Sequence, residues 1–184
     1  KSAMDELWDQ TRKMFFNESG TSGTNDSVTE RDSNFSKRIA FNVIPQIDKF
    51  IDDGSTKEEV KMINETKKIL DASIEVSATC VRVPVFIGHA ESLNIEFENS
   101  VNIDEIREIL GDTSGVSLVD DIETETFITP IECVSDFSVF VSRLRVDHTV
   151  PSGINMWVVS DNLRKGAALN SVQIAEELID RKYI

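Results

Sequence analysis

Arg82, His89, Glu58 and Lys61 have the types and spacing for anion binding and proton transfer. Arg82 stands in CVRVPVFIGHAESLNIEF, residues 80–97, and His89 follows past Pro84 and Gly88. A guanidinium is a planar fork that fits a carboxylate or phosphate bidentately. An imidazole, with an unperturbed pKa of about 6.5, suits general acid–base work near neutrality. Glu58 and Lys61 are three apart in STKEEVKMINETKKIL and so share a helix face. Each group also has an ordinary reading. Arg82 can pair with one of the 33 acidic side chains, and His89 can be a structural turn residue. Glu58–Lys61 can be an exposed pair worth about 0.2–1 kcal/mol. Asn162, ahead of a helix, reads most simply as a cap. Helix starts also offer free N–H groups to anions, which Lys165-Gly166 in the first turn would suit. Cys80 reads as a small buried hydrophobe. Arg143 and Arg145, two apart, share a face and could serve an interface.

Periodicity supplies the elements that must hold these groups. Met4, Leu7, Trp8, Thr11, Met14 and Phe15 recur at helical spacing behind a Ser2/Asp5 capping box. That helix begins so early that more sequence is expected before it. The polar stretch 18–36 reads as a mobile surface loop. RIAFNVIPQIDKFIDD is apolar, but Pro45 prevents a continuous helix. Thr56 and Glu59 form a second capping box that opens a helix to about Leu70. Ile74, Val76, Ala78 and Cys80 alternate with polar residues, which predicts a half-buried strand. Its parity puts Arg82 on the apolar face, where an unpaired charge is costly. His89 is expected in a bend before a strand with Leu93, Ile95 and Phe97 on one face. A short helix at 102–110 and a central strand at 136–146 follow. Pro151-Ser152-Gly153 then turns into an antiparallel partner at 154–160. The helix 162–181 carries the stripe Ala168, Val172, Ala175, Ile179. Hairpin-like links dominate the middle of the chain. The expected fold class is α+β, a mixed, largely antiparallel sheet with helices on one face.

Composition narrows the function classes. The chain has 184 residues, 33 Asp+Glu against 19 Lys+Arg, and a formal charge of −14. That balance repels phosphate backbones and argues against nucleic-acid binding by a basic face. The 2 cysteines, Cys80 and Cys133, cannot build a disulfide framework, and with His89 and His148 they give no finger-like zinc set. No apolar run approaches the ~18 residues of a membrane span, and KSAMDELWDQ is not a signal peptide. A protein of the cytoplasm, without metal and without membrane or nucleic-acid partners, is expected.

CVRVPVFIGHAESLNIEF, STKEEVKMINETKKIL, FNVIPQID and WVVSDNLRKGAALNSVQIAEEL, taken in order, resemble the aspartate-semialdehyde dehydrogenase family, bacterial type. The resemblance runs across essentially the whole chain. It implies the reductive dephosphorylation of aspartyl phosphate to aspartate semialdehyde, with NADPH as cofactor and phosphate released. This step lies on the route to lysine, methionine and threonine. By resemblance Arg82 binds the substrate carboxylate and His89 is the general acid–base. Glu58 holds the substrate amino group, Lys61 helps bind the phosphate, and Asn162 lies near the nicotinamide ring. The family often has Ser where this chain has Ala90, and Gly where it has Ser142.

Two parts of the family's machinery have no counterpart in this sequence. No Gly-rich dinucleotide turn exists among the 8 glycines, and neither cysteine stands in the family's nucleophile motif. The resemblance therefore implies a C-terminal substrate-binding and dimerisation domain without its nucleotide-binding domain, inactive alone. Its fold would resemble the second domain of glyceraldehyde-phosphate dehydrogenases and pair two copies through the sheet. Residues 1–161 would form the substrate-binding and dimerisation body. Residues 162–184 would be a C-terminal helix packing on the missing domain, less stably anchored than the sheet. The alternative is a stand-alone dimerisation or small-anion-binding module.

Overall fold

A computed structural model describes residues 2–16 and 33–184. The chain divides into two compact units, residues 1–86 and 87–184.

Among its described residues the first unit holds two helices, α1 (Ala3–Phe16) and α2 (Lys57–Ile69). Helix α1 starts on the expected reciprocal cap: the Ser2 N–H donates to Asp5 Oδ2 at 3.0 Å, and the Asp5 N–H to Ser2 Oγ at 3.1 Å. Its inner face buries Leu7 against Ile39, Ala40 and Ile44. Polar side chains fix that small core. Glu6, 6% exposed, accepts from the Ser33 hydroxyl and from the Asn34 N–H. Gln10 Oε1 accepts the Ile39 and Ala40 N–H groups at 2.9 and 3.1 Å. Most of the polar stretch 18–36 lies outside the described residues. Its last residues, 33–36, are the bends that meet Glu6. Around Pro45 the chain forms no helix, as its missing N–H requires.

Residues 74–80 are not a strand. They are extended, and Val76, Ala78, Cys80 and Arg82 are half-buried while the residues between them are exposed. The alternating burial is present, but among the described residues no neighbouring strand supplies a ladder. Just beyond them, Arg82 forms a backbone bridge to Ile44, with N···O distances of 2.8 and 3.0 Å.

The second unit is a four-stranded sheet, β1 (His89–Glu96), β2 (Val116–Leu118), β3 (Val139–Val146) and β4 (Gly153–Ser160), in the order β1-β4-β3-β2. Strands β1 and β3 are antiparallel to β4, and β2 is parallel to β3. The sheet is mixed and largely antiparallel, as the sequence implied; the short parallel β2 is an addition. Helix α3 (Ile103–Asp112), capped by Asn102, crosses β2 and β3. A π-helical turn, Arg164–Ala168, leads into α4 (Leu169–Asp180). Val172 and Ile179 of the expected apolar stripe are 55% and 59% exposed.

Strand β3 breaks register between Ser142 and Arg145, with Arg143 at φ 57°. A bulge leaves N–H groups without ladder partners. Asp120, its side chain 3% exposed, takes them, accepting from Arg143 N–H at 2.6 Å and Leu144 N–H at 3.2 Å, and is itself paired with Arg107 at 2.7 Å. Ser142 is fully buried, and its hydroxyl accepts the Ile128 N–H at 3.1 Å.

Candidate functional site

In the first unit, Glu58 and Lys61 project from the first turns of α2. Their positions follow from the helix start, where Thr56 Oγ1 accepts the Glu59 N–H and Glu59 Oε2 accepts the Thr56 N–H at 2.7 Å. The two side chains form an ion pair at 3.4 Å, with 55% of the Lys61 and 32% of the Glu58 side chain exposed. An exposed, long pair of this kind contributes little to stability, so both heads can exchange partners at small cost. Glu59, between them, is buried. Its second oxygen, Oε1, accepts the Cys80 N–H at 2.9 Å. These two backbone bonds, Thr56 first, hold its carboxyl below the ordinary carboxylate range.

Arg82 lies two residues beyond Cys80. Its backbone is pinned to Ile44, and its guanidinium carbon sits 5.6 Å above the Phe35 ring. An aromatic face leaves the guanidinium's in-plane N–H donors outward. Among the described residues no carboxylate is paired with it.

In the second unit, His89 is the first residue of β1, exposed and opposite Ser160 at the end of β4. It is not in a bend. Ala90-Glu91-Ser92 lacks apolar alternation, so the first half of this strand had no period-2 signal, yet the ladder to β4 runs its full length. Gly88 ahead of it has φ 105°, a conformation natural to glycine. A Cβ there would stand 3.1 Å from Pro130 Cβ and 3.3 Å from Cys133 Sγ. The Gly88 N–H donates to Asn162 Oδ1 at 2.9 Å. Strand pairing thus brings His89 and Asn162 to one end of the sheet.

Asn162 is not the helix cap. Asp161 fills that role, its Oδ1 accepting the Leu163 and Arg164 N–H groups at 2.9 and 3.2 Å. Its Oδ2 accepts the Ser135 N–H at 2.8 Å. The Ser135 bond, then those to Leu163 and Arg164, pull the Asp161 pKa down. The cap lies one residue earlier than read, which frees the Asn162 amide to reach Gly88. Lys165 turns to Gln173 at 2.8 Å. Cys133 is buried and donates to the Pro130 carbonyl. Burial, and secondarily Asp161, raise its thiol pKa, which disfavours the thiolate a nucleophile needs.

A cavity of about 310 Å³ opens on the sheet between Ser92, Phe127, Arg143, Arg145, Met156 and Trp157. The Trp157 indole is held by the Ile128 carbonyl at 3.1 Å. Among the described residues no group of three or more His, Cys, Asp or Glu is arranged to hold a metal ion. No helix among them is long and apolar enough to cross a membrane.

Comparison with known proteins assigns this α+β domain to a family. The family model for the semialdehyde dehydrogenase dimerisation domain matches residues 1–165, and the chain belongs to that family. The aspartate-semialdehyde dehydrogenase of Rickettsia bellii is 47% identical over 180 residues, 97% of this chain and 50% of that protein. The crystal structure of aspartate semialdehyde dehydrogenase II complexed with ASA, from Vibrio cholerae, has a TM-score of 0.84 and 45% identity. It covers 98% of this chain, which covers 50% of it. The Candida albicans enzyme with NADP has a TM-score of 0.65 and 26% identity, over 80% of this chain and 47% of that one. The chain spans about half the length of the curated relatives it matches.

Proposed function

We propose that this chain is the C-terminal, substrate-binding and dimerisation half of an aspartate-semialdehyde dehydrogenase. In that enzyme aspartyl phosphate is reduced to aspartate semialdehyde with release of phosphate, in the cytoplasm, on the route to lysine, methionine and threonine. One observation carries the reading. In a chain of net charge −14, Arg82 is half-buried and rigidly based, and among the described residues no carboxylate meets its guanidinium. A planar fork set on the Phe35 ring and based on the Ile44 bridge suits an incoming carboxylate.

Arg82 takes the substrate α-carboxylate, and Glu58, on α2, takes its amino group. Lys61 places a cation against the phosphate, whose departure it assists by offsetting charge. His89, exposed at the edge of the sheet, moves the proton at the reacting carbonyl oxygen. The nicotinamide cofactor, NADPH, supplies the hydride and is bound mainly by the other half of the enzyme. Asn162 fits a place beside it: its Oδ1 is occupied by the Gly88 N–H, which leaves the amide NH₂ as a donor toward a carboxamide. Two copies pair through the sheet, where Phe127, 48% exposed, and the cavity beside Trp157 offer an apolar contact. The segment 162–184 packs on the nucleotide-binding half, which covers the exposed Val172 and Ile179.

The test is turnover with and without that half. The 184-residue chain alone is expected to reduce no NADP above blank with aspartate semialdehyde and phosphate. Joined to a nucleotide-binding, cysteine-bearing half, it is expected to turn over. Activity of the chain alone, or none after joining, would overturn the proposal.

A further inference from the structure

We propose that Glu59 is a positioning residue, whose carboxylate sets the spacing between the α2 face carrying Glu58 and Lys61 and the extended segment carrying Arg82. This rests on the function proposed above for those three side chains.

A capping box uses one carboxylate oxygen of its glutamate, bonded to the N-cap N–H. Glu59 meets that requirement with Oε2 on the Thr56 N–H at 2.7 Å, and its hydroxyl counterpart, Thr56 Oγ1, accepts the Glu59 N–H. The other oxygen is not left to water. Oε1 accepts the Cys80 N–H at 2.9 Å, 21 residues away in sequence, and the residue is 9% exposed. Residues 74–80 form no ladder among the described residues; an exposed Lys67–Glu75 pair at 2.8 Å meets their start. Toward Arg82 its backbone is bonded by Glu59 at Cys80 and by Ile44 at Arg82, two residues on. Glu58 and Lys61 are within two positions of Glu59 on the same helix. The carboxylate thus ties the amine- and phosphate-binding side of the site to the carboxylate-binding side through one group.

Both acceptors are needed. In Glu59→Gln one oxygen becomes an NH₂ donor, so whichever way the amide turns, one backbone N–H faces a donor. The segment at Cys80 or the cap at Thr56 is released. Small misplacement of a binding group is enough to cost an order of magnitude.

The experiment uses the complete enzyme and measures kcat and KM for aspartate semialdehyde in E59Q, T56A, R82K and the double variant E59Q/R82K. E59Q is expected to raise KM about tenfold with kcat changed less than about threefold. T56A removes the hydroxyl of the cap but keeps both bonds to Glu59 oxygens; it is expected to lower the thermal midpoint and leave KM within about twofold. In the R82K background, E59Q is expected to add less than about threefold, because the fork it positions is already gone. Cys80 amide exchange should speed up in E59Q and not in T56A. An unchanged KM in E59Q, or equal KM increases in E59Q and T56A, would overturn the positioning role. If E59Q does not fold, E59D, too short to reach both amides, carries the same expectation. Failure of the underlying site assignment reads differently: R82K itself would leave KM unchanged.

Discussion

The two units place their candidate site residues by different means. In the second, His89 and Asn162 come to one end of a sheet through an eight-residue ladder, His89 opposite Ser160 through Glu96 opposite Gly153. Many backbone bonds share that work, and no single side chain of the ladder is indispensable. Among the described residues of the first unit there is no sheet. Arg82 is located by its bridge to Ile44 and by Glu59 on Cys80, and α1 by Glu6 and Gln10. A ladder distributes positional control, whereas polar clamps concentrate it in a few carboxylates and amides. Substitutions beside His89 should therefore act mainly through the groups they remove, and substitutions beside Arg82 also through the groups they release.

The largest expected effect tests the ladder side. In the complete enzyme, His89→Asn should lower kcat about 10²–10⁴-fold, with KM little changed, because the backbone that presents the residue is untouched. Arg82→Lys should raise KM about 10–100-fold and lower kcat less, since a point charge replaces a bidentate fork. Gly88→Ala should destabilise the second unit by about 1–3 kcal/mol, seen as a lower denaturation midpoint. The new Cβ meets Pro130 and Cys133 at 3.1 and 3.3 Å in a φ of 105° that disfavours any Cβ. Thr56→Ala should cost about 1 kcal/mol in the same measurement.

The smallest effect is acid sensitivity. Glu59 and Asp161 both have pKa values lowered in the folded state, by bonds from Thr56 and Ser135 N–H first. A carboxylate whose folded pKa is depressed stabilises the fold fully above its unfolded value of about 4, and that stability is lost as pH falls through the folded pKa. Stability should be flat in pH from these groups near neutrality and fall below about pH 4. The acid limb should be shallower in E59Q.

The sequence made some of this legible and concealed the rest for physical reasons. The Thr56–Glu59 box was readable because both partners are three residues apart, and the structure has both bonds. Strands β3 and β4 were readable from apolar runs flanking a Pro-Ser-Gly turn. The strand at 74–80 was misread because alternating burial also arises when an extended segment lies on a core without a ladder. The Asn162 cap was misplaced by one residue, since Asp161 and Asn162 cap equally well by type and only the reach to Gly88 separates them. Parallel β2 is three residues long, too short for a period. The second oxygen of Glu59 is a long-range contact that no local pattern encodes.

The most direct test of the central claim is a side-by-side kinetic comparison of His89→Asn and Arg82→Lys in the complete enzyme, following phosphate-dependent NADP reduction by aspartate semialdehyde. A split is expected, a collapse of kcat at nearly constant KM for the first and a raised KM with most of kcat kept for the second. Wild-type kinetics in either variant, or the same loss of both parameters in the two, would contradict it.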